Sequence, residues 1–307
     1  MERGGRAPGP CETREPGREH SRLAIGERRA RGCLPSPDAG RGGLMRTPRR
    51  AWVLAMREVR GFFASPVGWS IAAVFSLVAG LIFVGLLIRY RQAALSLAQS
   101  AQVRTGDVGL HVNDWVMRPY LYNLGSVLLF FIPLLTMRSV AEERRSGSLE
   151  LLLSLPLRGS DLVLGKLLGS LCCLLALLLV VPLHGLVLAF LTTPDWGAAA
   201  AGGLGLLLLG LFMVSLGILI SALSQSQVEA GVLTLGVLLL LGLGPSVTEA
   251  VSPAIARALG YVAVLTRFED FTRGVIDLRH VAFFLGGTAL WLALALRSLD
   301  LLRWRGA

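Results

Sequence analysis

The chain has 307 residues, of which 53% are hydrophobic and only 16% charged, and its mean hydropathy is +0.63. An average soluble domain carries about 25% charged residues, and here the apolar residues fall in long blocks without an amphipathic rhythm, which excludes an ordinary soluble domain. The net charge of +10 sits in loops and tails, where it suits membrane orientation and anionic headgroups and gives no nucleic-acid-binding surface.

Residues 1–44 are rich in Arg, Gly and Pro and hold no apolar run. They are expected to be disordered, and they lack the apolar core of a secretory signal. Two explanations stand: a mis-assigned start ahead of Met45, or a basic tail that touches headgroups. Residues 49–63 then form an amphipathic helix. Trp52, Met56, Val59 and Phe63 recur at helical spacing, while Arg49, Arg50, Arg57 and Arg60 occupy the other faces. Such a helix lies in the membrane interface, and Ser65-Pro66 ends it.

Six apolar blocks follow: Val67–Ile88, Tyr120–Met137, Leu167–Leu191, Gly203–Leu223, Val228–Gly244 and Val281–Leu296. Each is near the ~20 residues that cross a ~30 Å hydrocarbon core. The fold class expected is therefore an all-α integral membrane protein with six transmembrane helices. In the first block Ala72, Ser76 and Gly80 stand four apart, a small-residue stripe for helix packing within the chain or for a dimer seam. Arg46, Arg49, Arg50, Arg57 and Arg60 precede the first block. Arg138, Arg144, Arg145, Arg158 and Lys166 lie between the second and third. That density places the N-terminus and this loop in the cytoplasm, and six spans return the C-terminus to the same side.

The spans hold no Asp, Glu, Lys or Arg in their interiors, which argues against an ion-coupled transporter. His184, beside Pro182, is read as a neutral imidazole bonded to carbonyls that the proline frees. Cys11 and Cys33 lie in the tail. Cys172 and Cys173 are adjacent, about 100° apart around a helix, and serve as small packing residues. Neither a G-x-x-x-x-G-K-[ST] phosphate loop nor a metal-ligand or nucleophile motif is present. The nearest string, Ser160 to Leu167, has Ser where the first Gly belongs and Leu in place of the metal-binding hydroxyl. The chain is thus not expected to be an enzyme, and no cofactor or metal is expected. If it moves a substrate, the energy comes from a partner.

The loop between the second and third blocks is the candidate handle for that partner. Ser139-Val140-Ala141-Glu142 fits a capping box. Glu142, Glu143, Arg144 and Arg145 make a charged helix end, Gly147 breaks it, and Glu150 follows in a second short segment. Ser160-Asp161 caps a third helix that leads into the next span. A solvated, headgroup-bound connection is the alternative reading of the same residues.

Three stretches resemble a known family. They are REVRGFFASPVGW (Arg57 to Trp69), MRSVAEERRSGSLELLLSLPLRGSDLVLGKLLG (Met137 to Gly169) and RFEDFTRGVIDLRHVAFFL (Arg267 to Leu285). The chain from Met45 to its C-terminus resembles ABC-2 type transporter permeases, within them the gliding-motility-associated, Gld-type subunits. The resemblance implies a 45–307 permease domain in the bacterial inner membrane, as a homodimer or with a second permease, on separate ABC ATPase subunits. The second loop becomes the cytoplasmic coupling helix, giving Glu142, Glu143, Arg144, Arg145, Gly147 and Glu150 a docking role. The segment between spans five and six becomes outer re-entrant helices. An exporter is the leading expectation. A non-transporting scaffold coupled to an ATPase for motility or envelope assembly is the alternative.

Overall fold

The computed structural model describes residues 47–99, 111–141, 159–192, 195–243 and 263–305, and among these there are helices and no strand. Thr47–Ala307 forms one compact unit. In chain order the helices are α1 (Thr47–Ala64), α2 (Pro66–Gln99), α3 (Arg118–Thr136), α4 (Gly159–Leu178), α5 (Val180–Leu191), α6 (Trp196–Leu223), α7 (Gln227–Leu243), α8 (Val264–Thr272) and α9 (Leu278–Arg305). A π-helical turn, Asn113–Met117, leads into α3. Residues 1–44 lie outside the described residues.

Among the described residues, five helical stretches are long and apolar enough to cross a membrane: Pro66–Leu97, Asn113–Thr136, Gly159–Leu191, Trp196–Leu223 and Leu278–Leu301. The sixth expected block falls on α7, an apolar helix of 17 residues. The helix over the first block runs on to Gln99, well past Ile88. Arg89 and Arg91 end the apolar run, but Ala, Leu and Gln keep the backbone helical. The third block is two helices, broken at Leu179 three residues before Pro182. A proline removes one backbone donor and crowds the preceding turn.

α6 is the centre of the bundle. In its most apolar window 83% of the residues are buried, against 17% for Pro66–Leu97 and for Leu278–Leu301. α6 packs against α3, α4, α7, α8 and α9. Close approach is what its glycines supply: a Cβ on Gly205 would strike the Phe271 side chain, and one on Gly217 would strike Thr136. Without a hydrophobic drive between helices in lipid, small residues that admit such packing hold a membrane bundle together. The main core joins Tyr120, Leu121, Leu124 and Leu128 of α3 to Leu209 and Phe212 of α6, Phe268 of α8 and Phe284 of α9.

α1 is amphipathic, as the sequence predicts, but it is two-faced. Trp52, Met56 and Phe63 are exposed, whereas Ala51 and Ala55 are buried on the side that packs against α4. There Gly165 and Gly169 form a groove. A Cβ on Gly165 would lie 2.6 Å from Leu54 Cβ, and one on Gly169 would lie 2.6 Å from Glu58 Cβ and 3.2 Å from the Ala55 carbonyl. The chain turns at Ser65, and Trp69 Nε1 donates to the Phe63 carbonyl at 2.8 Å to fix the elbow.

The groove makes a direct prediction. Gly169→Ala should lower the stability of the detergent-solubilised protein by ~1–3 kcal/mol, the usual cost of overpacking a close interface. Gly85→Ala, whose Cβ meets nothing within 4 Å, should be neutral or stabilising by up to ~1 kcal/mol. Thermal unfolding followed by tryptophan fluorescence separates the two, and equal melting temperatures would refute the groove.

Candidate functional site: the feet of the 142–158 loop

Glu142, Glu143, Arg144, Arg145, Gly147 and Glu150 lie outside the described residues. The two feet of their loop are described, and both are anchored. A separate core cluster surrounds them, built from Val140 after α3, Leu162 and Val163 of α4, Leu219 and Ala222 of α6, and Ala295 and Leu299 of α9.

On the first foot the capping box expected at Ser139 is not formed by its own hydroxyl. Among the described residues Ser139 Oγ is buried with no hydrogen-bond partner, and Glu142, the other member of the box, lies outside them. Instead the backbone N–H groups of Val140 and Ala141 both donate to Ser221 Oγ of α6, each at 3.1 Å. Ser221 is fully buried, so a neighbouring helix satisfies two donors that would otherwise be costly to bury.

The second foot holds the chain's one lysine. The sequence groups Lys166 with the exposed basic residues of the loop, and the structure corrects this. Lys166 lies within α4 and is 2% exposed. Its Nζ donates to Glu58 Oε1 of α1 at 2.7 Å and to the Ser139 carbonyl. One ammonium thus joins α1, the end of α3 and α4. A buried ion is tolerable only when paired and hydrogen-bonded, and both conditions hold here. Asp161, in the first turn of α4, stands where an acidic residue complements the helix dipole.

At the other end of α3, roughly 28 Å away by helical rise, a second polar group ties the elements. Asp195 caps α6 by accepting from Gly197 N at 2.9 Å, and its backbone carbonyl accepts from Asn113 Nδ2 at 3.2 Å. Arg118 of α3 and Arg273 after α8 both reach Glu269 Oε1, at 3.0 and 2.9 Å. Partial burial raises the Glu269 pKa, but the hydrogen bonds from Arg273 and Arg118 outweigh it and hold the carboxyl below its usual value. Of the segment expected to form outer helices, residues 263–277 are described, and they contain α8 and a turn at Gly274, φ +84°.

His184 has a partner that the sequence did not signal. Its Nδ1 lies 2.7 Å from the Tyr120 hydroxyl of α3, and its ring stacks on Phe83 of α2 at 4.6 Å. Of the small-residue stripe, Ala72 and Gly80 are half-buried and Ser76 is exposed; Ala72 packs against the main core. A Cβ on Gly80 would come within 3.9 Å of His184 Nε2.

Two predictions follow from these ties. Glu58→Gln removes a paired carboxylate from the buried Lys166 ammonium and should cost about 3 kcal/mol; Glu58→Gln with Lys166→Met should recover most of that loss. A double-mutant cycle on thermal stability checks it, and additive losses would refute the pairing. For Glu269, a depressed folded pKa contributes stability above the ordinary carboxylate range that disappears as pH falls through the folded value. The melting-temperature gap between wild type and Glu269→Gln should therefore be full at pH 6 and close below about pH 4, where glutamate ordinarily titrates.

No curated protein sequence matches the chain. A family model described as ABC-2 family transporter protein matches residues 52–269, a range that runs from within α1 to within α8 and takes in both feet of the 142–158 loop. With its long apolar helices, that match makes the chain a multi-pass membrane protein and a permease component that works with an ABC ATPase subunit: it belongs to the ABC-2 family of transporter proteins.

Proposed function

We propose that the chain is the membrane permease of an ATP-driven exporter, energised through its 142–158 loop by a separate ATPase. The observation that carries this reading is the anchoring of both feet. Ser221 holds Val140 and Ala141 to α6, Lys166 holds Ser139 and α1 to α4, and a dedicated core fills the space between. A solvated connection needs no such footing. A loop that transmits force does, because a push on it must move helices and not merely bend the chain.

The finer features go with that reading. α7 spans ~25 Å at 1.5 Å per residue, so with modest thinning of the bilayer it serves as the sixth crossing and puts both termini on one side. The arginine density makes that side cytoplasmic, in a bacterial inner membrane. The exposed stripe Trp52, Met56 and Phe63 of α1 supports an interfacial position for this helix. The exposed face of α2 around Ser76, with Val74, Leu77 and Leu81, is where a second permease packs. In the described part of the segment between the fifth and sixth blocks, α8 serves as an outer re-entrant helix, and the Arg267–Leu285 stretch supports the Gld-type branch. ATP binds to the partner subunit, and this chain carries no cofactor.

Reversing Glu142 and Glu143 to Arg should weaken copurification of the ATPase subunit or its coupled hydrolysis about tenfold. Close interfacial charge pairs are worth ~1–3 kcal/mol or more, and 1.4 kcal/mol is a factor of ten. Membrane insertion should be unchanged. Asp195→Asn, which keeps a capping side chain at the other end of α6, should leave both readouts at wild-type level. Wild-type binding and hydrolysis in the reversed variant would reject the coupling role of these residues.

A further inference from the structure

A cavity of about 350 Å³ lies where the end of α1, the start of α2, the end of α3 and the middle of α4 meet. Part of its wall is apolar, from Ile71, Leu134 and Leu135, and part is polar, from Glu58 and Arg138. Its depth is set by the sequence. Arg138 stands two residues beyond the end of α3, and Ile71 and Leu134 lie inside helices that can cross the membrane. The cavity therefore straddles the boundary between hydrocarbon and headgroups, whichever side of the membrane it faces.

Its charge is unbalanced. The Glu58 carboxylate is bound by the Lys166 ammonium at 2.7 Å. Arg138 is exposed and engages no carboxylate among the described residues. A guanidinium presents a planar fork of donors that matches a phosphate bidentately. A cavity within the usual volume of small-ligand sites, lined by apolar side chains together with the Arg138 guanidinium, suits an amphiphile with a phosphate head. Gly61 also lines it, and a Cβ there meets nothing within 4 Å.

We propose that this cavity is a phospholipid site, with the phosphate on Arg138 and the first carbons of the acyl chains against Ile71, Leu134 and Leu135. The occupant bridges α1, α2, α3 and α4 beside the first foot of the 142–158 loop, so its presence stiffens the elbow.

The test uses the full chain in detergent, with native mass spectrometry and three probes: phosphatidylglycerol, diacylglycerol and glycerol 3-phosphate. Wild type should retain phosphatidylglycerol and neither of the others, because the site needs both the phosphate and the chains. Arg138→Gln should reduce retention at least fivefold, and Arg138→Lys should restore part of it. Arg138 is exposed, so its loss leaves the packing intact. Gly61→Leu fills the open space and should reduce retention similarly, with an unchanged helical circular dichroism spectrum. Equal retention of phosphatidylglycerol by wild type, Arg138→Gln and Gly61→Leu would mean general annular lipid and overturn the site. Glycerol 3-phosphate bound as well as phosphatidylglycerol would mean a site for soluble phosphate esters and overturn the lipid. Diacylglycerol bound equally would remove Arg138 from any role.

Discussion

The arrangement at the loop depends on one buried ammonium. Lys166 is nearly inaccessible to solvent, and in that setting its charge is stable only beside a carboxylate and a carbonyl. Glu58 and Ser139 supply them from two other elements. Sterics make the pairing feasible. Gly165 and Gly169 flank Lys166 on α4 and let the α1 backbone come close enough for Glu58 to reach it. The groove and the ion pair are one unit: widening the groove withdraws the carboxylate, and losing the carboxylate removes a paired charge from a buried ammonium.

α6 extends this fixed point across the molecule. It begins at the Asp195 cap, which meets Asn113, and near its end Ser221 holds Val140 and Ala141. Asn113 and Ala141 bracket α3, so α3 and α6 are pinned to each other at both ends. Glycines on α6 remove the side chains that would otherwise wedge the pair and its neighbours apart. Arg118 and Arg273 on Glu269 add α8 to the far end. Tied at both ends, α3 and α6 are held as one packed pair.

The membrane class and the helix blocks were legible in the sequence because apolar runs and their spacing are local properties. Among the described residues, five of the expected blocks fall on one helix each and the third on two. The amphipathic helix and the Ser65-Pro66 break were legible for the same reason. What stayed hidden was non-local. Lys166 reads as a loop cation, because its carboxylate lies 108 positions away. Ser139 reads as a cap, because nothing in the chain order announces that Ser221, 81 positions from Val140, takes over. A capping serine does occur at Ser226, which accepts from Glu229 N at 3.2 Å while Glu229 accepts from Gln225 N at 3.0 Å; its S-x-x-E spacing was an available signal. Tyr120 and His184 meet across 64 positions, and the kink at Pro182 alone did not disclose that partner. Of the candidate site, Glu142 to Glu150 lie outside the described residues, and the anchorage of the two feet was not readable in the sequence.

The two faces of α1 have a consequence for biogenesis. Glu58 leaves the ribosome 108 residues before Lys166, and chains are extended at roughly 5–20 residues per second. For several seconds at least, the finished helix has no groove to enter. During that interval Ala51 and Ala55, buried in the finished fold, have no α4 to pack against, and Trp52, Met56 and Phe63 remain an exposed apolar stripe as they are in the finished fold. Only when α4 threads into the membrane does the alanine face meet the glycines and the carboxylate meet its cation. The closing of this contact is thus a late event in assembly, and it marks the point at which the loop between α3 and α4 acquires a fixed footing.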